Sequence, residues 1–130
     1  MTGPLRVRRR RLSGHRLPAN TVCVSRGTRW GNPYRVGYDG DAECCVRKYR
    51  DYLLPYSHRD GDLSGFLRAE ANVKAIQNDL RGMNLACWCK LCDRHRNGKP
   101  FGEQCHDCAP CHADVLGAIA NSPLLEQENA

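Results

Sequence analysis

Six cysteines and three histidines fall between Cys87 and His112: Cys87, Cys89, Cys92, His95, Cys105, His106, Cys108, Cys111 and His112. A segment this rich in thiol and imidazole, and this poor in apolar residues, makes no ordinary core. Ligand pairs two to four residues apart let one tight turn aim two donors at one ion. Cys89-x2-Cys92 and Cys105-x2-Cys108 are two such pairs, twelve residues apart, which is a zinc-ribbon spacing. The segment is therefore expected to bind Zn2+, with Cys89, Cys92, Cys105 and Cys108 as first-choice ligands. Cys87, Cys111 and His112 are the alternates, Cys108-x2-Cys111 is a further pair, and a second ion is conceivable. Packing cysteines are the plainer alternative, and Cys23, Cys44 and Cys45 fit it because they sit in apolar patterns.

No apolar run follows the basic start, as a secretory signal requires, and nothing approaches the ~20 apolar residues of a membrane helix. The chain is thus expected in the cytoplasm, or in the host cytoplasm if phage-encoded, with no membrane partner. Disulfides are rare there. Its 130 residues suit one domain.

Charge is unevenly spread. Residues 1–38 hold nine Arg and no acidic residue, so the net +6 of the chain belongs to its first third. Such a cluster suits a polyanion, and Arg suits bidentate phosphate contacts. The loop Arg26-Gly27-Thr28-Arg29-Trp30-Gly31-Asn32 can stack a base on Trp30 and hold phosphate, making Arg26, Arg29, Trp30 and Asn32 candidate ligand-binding residues. A turn whose Trp anchors the loop to the core is the competing reading.

Along the chain, residues 1–20 read as an Arg-rich arm or irregular edge segment. Thr21 to Ser25 read as a buried strand. A helix is expected from Asp41, its cap, to a stop at Pro55. A polar loop follows over 56–61. A second helix runs from near Asp62 or Ser64 to before Gly82, with Phe66, Leu67, Val73, Ile76 and Leu80 as its stripe. Met83 to Cys87 read as a second strand. The last helix covers about 111–121, with Pro110 at or near its first turn and Val115, Leu116, Ile119 and Ala120 facing the core. Residues 122–130 form a flexible tail.

The fold expected is α/β: a small single-domain layer over 21–121 with a short parallel strand pair, three helices and a Cys/His zinc-binding insertion at 87–112. Ligands in such sheets collect beyond the carboxyl ends of the strands. That edge would bring Arg26 and Cys87 into one cleft. Cys111 and His112 open the last helix, where free N–H groups lower a thiol pKa or hold a phosphate. Cys87, Cys111 and His112 are therefore the catalytic candidates if the chain is an enzyme.

Val24 to Tyr34, Leu80 to Cys89 and Cys111 to Leu116 together resemble an uncharacterised phage and bacterial family, catalogued as a domain of unknown function. It carries a WGNP box, an L-x-C-W-C box and a C-H-A-D-V-L box. Arg8 to Pro18 is similar to that family's entry segment. The resemblance implies that Arg26, Trp30, Asn32, Cys87, Cys89, Cys111 and His112 form one site. Typical members have a shorter link between the second and third boxes, so Cys92, Cys105 and Cys108 would belong to an added staple. Two functions follow as expectations: a zinc-binding protein that holds nucleic acid or a nucleotide, or a small enzyme acting on a nucleotide, base or related metabolite.

Overall fold

The computed structural model describes residues 4–9, 17–54, 63–101 and 103–122, with the side chains of Leu63, Gly65 and Phe66 left out. Four strands and three helices lie among the described residues, in the order β1 (Leu5–Arg8), β2 (Thr21–Cys23), α1 (Ala42–Leu53), α2 (Leu63–Leu80), β3 (Asn84–Cys87), β4 (Lys99–Pro100) and α3 (His112–Ala120). One turn of 3-10 helix, Asp93–His95, lies between β3 and β4.

The sheet order is β2-β3-β1-β4. β3 pairs in parallel with β2, Val22 opposite Leu85, and with β1, Val7 opposite Ala86. β4 closes the far edge antiparallel to β1. The small α/β layer and its parallel pair are as expected. The reading of residues 1–20 as an arm or edge segment needs correction, because β1 is an inner strand. The local pattern misled: four arginines after Val7 mask one alternation, in which Val7 is buried, and even Arg6 is 1% exposed.

α1 begins where its cap predicts, with the Asp41 carboxylate accepting from Cys44 N–H at 2.8 Å. Cys45, Tyr49 and Leu53 recur at helical spacing and form its buried face. α2 turns Ala69, Val73, Ile76 and Leu80 inward, while Leu67, counted in the expected stripe, is 52% exposed. α3 packs on α2 and against β1 and β3 through Leu116, Ile119 and Ala120. Its cap is Cys111, so Pro110 lies just before the helix and not in its first turn. The expected stop at Pro55, the loop 56–61, the Phe66 side chain and the tail beyond 122 lie outside the described residues. No helix among the described residues is long and apolar enough to cross a membrane.

Candidate metal centres and the strand-end cleft

β3 ends at Cys87, and the bend over Trp88 and Cys89 keeps the Cys89 sulfur beside it. The N-terminus of α3 arrives over that strand end and delivers Cys111. The three sulfurs lie within 4.8 Å of one another. Cys87 Sγ and Cys111 Sγ are 2.8 Å apart, well beyond a disulfide bond of about 2.05 Å. Cys87 and Cys111 are buried and Cys89 is half-buried.

Three sulfurs this close do not ionise independently. Hydrogen bonds from Cys111 and then Cys87 pull the Cys89 thiol down to about 2, so the thiolate charge sits there. For Cys87, the Cys111 hydrogen bond acts downward, but the Cys89 sulfur and burial outweigh it and push the thiol up to about 11. Contact with the Cys87 and Cys89 sulfurs, then burial, raises Cys111 as well. This corrects the expectation of a helix-activated Cys111. Its sulfur does accept from Ala113 N–H at 3.4 Å, but the neighbouring thiolate dominates.

His112 completes this corner. Its Nε2 donates to the Val24 carbonyl, which can only accept, so Nε2 carries the hydrogen. Burial lowers its pKa, outweighing the hydrogen bond to Val24. The neutral ring therefore presents a lone pair at Nδ1, 3.9 Å from Cys111 Sγ.

A second donor group lies in the ribbon segment: Cys92, His95, Cys105 and Cys108, again within 4.8 Å. Each pair comes from one tight turn. The 3-10 turn after Cys92 brings His95 Nδ1 to 3.2 Å from Cys92 Sγ and 3.5 Å from Cys108 Sγ. His95 Nε2 meets the Glu103 carboxylate, the arrangement that orients a ligating imidazole. Burial raises the Cys105 thiol, but the backbone N–H groups of Asp107 and Cys108 outweigh it and bring the pKa down to about 6. Either group can hold a metal ion. The four-cysteine set expected from spacing is not brought together. Cys89 joins Cys87 and Cys111, and buried His95 stands in its place.

Between the cleft cysteines and α1 lies a cavity of about 360 Å³, walled by Ser25, Arg26, Asn32, Trp88, Cys89 and His112 among others. Arg26 and Cys87 thus share a cleft at the carboxyl ends of β2 and β3, as expected. Arg26 is engaged there with its own loop, donating to the carbonyls of Asn32 and Tyr34. Asn32 is likewise a brace: Nδ2 donates to Cys45 O at 3.2 Å and Oδ1 accepts from Tyr34 N–H at 2.9 Å. Gly31 lets this loop fold tightly, since a Cβ there would lie 2.9 Å from Arg26 Cα.

Arg29 and Trp30 do not join the cleft. They line a separate hollow with Tyr49 and Tyr52, Arg29 stacking on Trp30 at 4.7 Å and pairing with Asp79. Trp30 packs against the core, and its carbonyl accepts from Tyr49 Oη–H at 2.9 Å, so the loop is tied to the core there. At the cleft, the aromatic group is Trp88, with Arg9 stacked on it at 4.4 Å. Arg9 also donates to Cys23 Sγ and Ser25 Oγ at 3.0 and 3.1 Å. Among the described residues, Arg6 is buried and Arg8 and Arg9 are half-buried, while Arg26, Arg29 and Arg35 stay exposed. Arg10, Arg11 and Arg16 lie outside the described residues.

Sequence reasoning missed His95, Glu103, Trp88 and Arg6 as site residues. Cys92-x2-His95 was a legible signal for the first, being a ligand pair of ordinary spacing. Nothing local distinguishes Arg6 from the arginines that follow Val7.

Neither a curated protein nor a solved structure matches this chain. A family model does, over residues 7–122, under the description domain of unknown function (DUF4326). That match spans all three sequence boxes and both cysteine groups, and the chain accordingly belongs to the DUF4326 family.

Proposed function

We propose that this is a zinc protein with two unlike centres. The Cys87/Cys89/Cys111 centre is the working end of a small enzyme acting on a nucleotide, a base or a related metabolite. One observation carries the reading: three sulfurs, not four, converge at the wall of a cavity. Catalytic zinc characteristically has three protein ligands and an open position, whereas structural zinc is closed by four. The ribbon group, Cys92, His95, Cys105 and Cys108, has four donors, enough to close a tetrahedral site. Thiolate and imidazole donors suit zinc over the hard cations.

A bound zinc of the open kind supplies Lewis-acid activation of a water or substrate oxygen. The chain's own residues supply the rest. Neutral His112 offers Nδ1 as a proton acceptor beside the sulfurs, held in that tautomer by Val24 O. Arg26 and Asn32 hold the loop that closes the cavity. The volume, about 360 Å³, is within the range of small-molecule pockets. Val36 and Trp88 line it and are 59% and 40% exposed, giving a planar apolar wall beside the Arg9 charge. A small anionic heterocycle fits a cavity of this size better than a long nucleic acid does. A reducing cytoplasm, where nine free thiols persist, belongs to the same reading.

The test is zinc quantification with X-ray absorption at the zinc edge on wild type, Cys92→Ser and Cys111→Ser. The expected result is two ions in wild type and a different single ion lost in each variant. Cys92→Ser should retain a centre of three sulfurs plus one exchangeable light ligand. No copurifying metal overturns the zinc reading. A retained centre closed by a fourth protein ligand overturns the catalytic one. Quenching of Trp88 fluorescence by nucleoside monophosphates, absent in Trp88→Phe, checks the ligand class.

A further inference from the structure

The two metal groups are joined through a narrow neck. The chain leaves the cleft at Cys89, runs through the ribbon and returns at Cys111. At the neck Ala109 N–H donates to Lys90 O at 2.9 Å. One side chain fastens it. Arg6, reaching from inner strand β1, donates through Nη2 to Ala109 O at 2.7 Å and to Lys90 O at 3.4 Å. Its Nη1 donates to Asp114 Oδ2 at 2.8 Å, in the first turn of the helix that Cys111 caps. Lys99 Nζ takes the other Asp114 oxygen at 3.1 Å.

A guanidinium buried to 1% exposure is costly unless its charge is answered. Asp114 answers one cation, and Lys99, itself 4% exposed, competes for it. The remaining positive charge faces the three cleft sulfurs. Burial acts to lower the Arg6 pKa, but attraction to Cys111, Asp114, Cys87 and Cys89 outweighs it. Arg6 thus answers the sulfur charge and grips the residue after Cys89, the residue two before Cys111, and α3 itself. Arg suits this where Lys does not, because only a planar fork serves two carbonyls and a carboxylate together.

We propose that Arg6 is the positioning residue of the cleft centre: it holds the Cys89–Lys90 and Ala109–Cys111 segments so that three sulfurs converge independently of the ribbon. This rests on the two-metal reading above. The ribbon is then a self-contained staple, and the cleft centre forms with the ribbon empty.

Chelator competition on the zinc-loaded full chain tests this, with cobalt substitution to report the thiolate environment of each centre. Cys92→Ser should keep cleft affinity within about threefold of wild type. Arg6→Met and Arg6→Lys should each weaken the cleft ion about tenfold or more, as loss of an outer partner does. The ribbon ion and the helical circular-dichroism signal should stay as in wild type. In the double variant Arg6→Lys/Cys92→Ser the cleft cobalt spectrum should fade at chelator levels that Cys92→Ser withstands. Wild-type cleft affinity in either Arg6 variant overturns the proposal. So does loss of both ions and of helical signal in both variants, which would make Arg6 a folding residue only. A wild-type chain without metal removes the two-metal reading itself, whereas two ions with indifferent Arg6 variants remove only this inference.

Discussion

Asn32→Asp is the sharpest test of the loop that walls the cleft. Asn32 is 5% exposed. Its Nδ2 donates to Cys45 O at 3.2 Å and its Oδ1 accepts from Tyr34 N–H at 2.9 Å. Aspartate keeps the shape and the Tyr34 bond, but sets a second acceptor against a carbonyl. The lost bond costs about 1 kcal/mol, and the two facing acceptors add about 1–3 kcal/mol of uncompensated desolvation. The expected loss is therefore about 2–4 kcal/mol when the carboxylate is charged. Protonation relieves it, because a neutral carboxyl can donate to Cys45 O. The folded-state pKa of the new carboxyl then lies above its unfolded value. Arg26 tempers that rise without filling the donor's place, since its guanidinium is held by the Asn32 and Tyr34 carbonyls. The folded form binds more protons, so the variant approaches wild type at low pH and falls behind as pH rises through the folded pKa. Urea unfolding of wild type, Asn32→Asp and Asn32→Ala, each at about pH 5.5 and about pH 8 to bracket that window, measures it as a difference from wild type. Asn32→Ala should lose about 2 kcal/mol at both, having nothing to titrate. An Asn32→Asp loss under about 0.5 kcal/mol at the higher pH, within the scatter of ordinary surface substitutions, would refute the brace and return Asn32 to the ligand-binding set.

Two further outcomes follow from packing and burial. Gly117→Ala would place a Cβ 2.2 Å from Phe101 Cδ1, so a gain of about 1 kcal/mol in helix propensity should be outweighed by about 1–3 kcal/mol of overpacking; in a Phe101→Ala background the same change should turn stabilising, and an unchanged sign there refutes the contact. Burial, with a smaller contribution from Tyr52, pushes the Tyr49 phenol up to about 12; the folded state holds that proton more tightly than the unfolded state, so this stability is complete below about pH 10 and is lost as pH rises through the folded value. Phenolate absorbance should show a late-ionising step from Tyr49, and Tyr49→Phe should abolish it.

Much of the fold was legible because it is written in local signals. Asp41 ahead of a helical stripe marks α1, and Thr21-Val22-Cys23 and Asn84 to Cys87 mark two strands between crossovers. β1 was not legible, since its alternation is one buried Val7 among arginines. Ordinarily a buried arginine is too costly to expect. The metal segment was legible as a segment and misread in its pairing, because Cys89-x2-Cys92 and Cys92-x2-His95 are equally good local pairs.

That distinction separates the two sources of information in this chain. Spacing alone determined that Cys105 lies near Cys108, that Cys92 has a donor neighbour within three residues in either Cys89 or His95, and that Cys87 and Cys89 sit at one strand end. Each is a matter of backbone geometry over two or three residues. Only the tertiary structure decided which neighbours share a centre. Cys111 reaches Cys87 because α3 crosses the end of β3, and Arg6 reaches the neck because β1 inserts between β3 and β4. Such meetings join residues separated by long stretches of chain, and they are selected by burial and charge balance in the assembled fold, which no local spacing encodes.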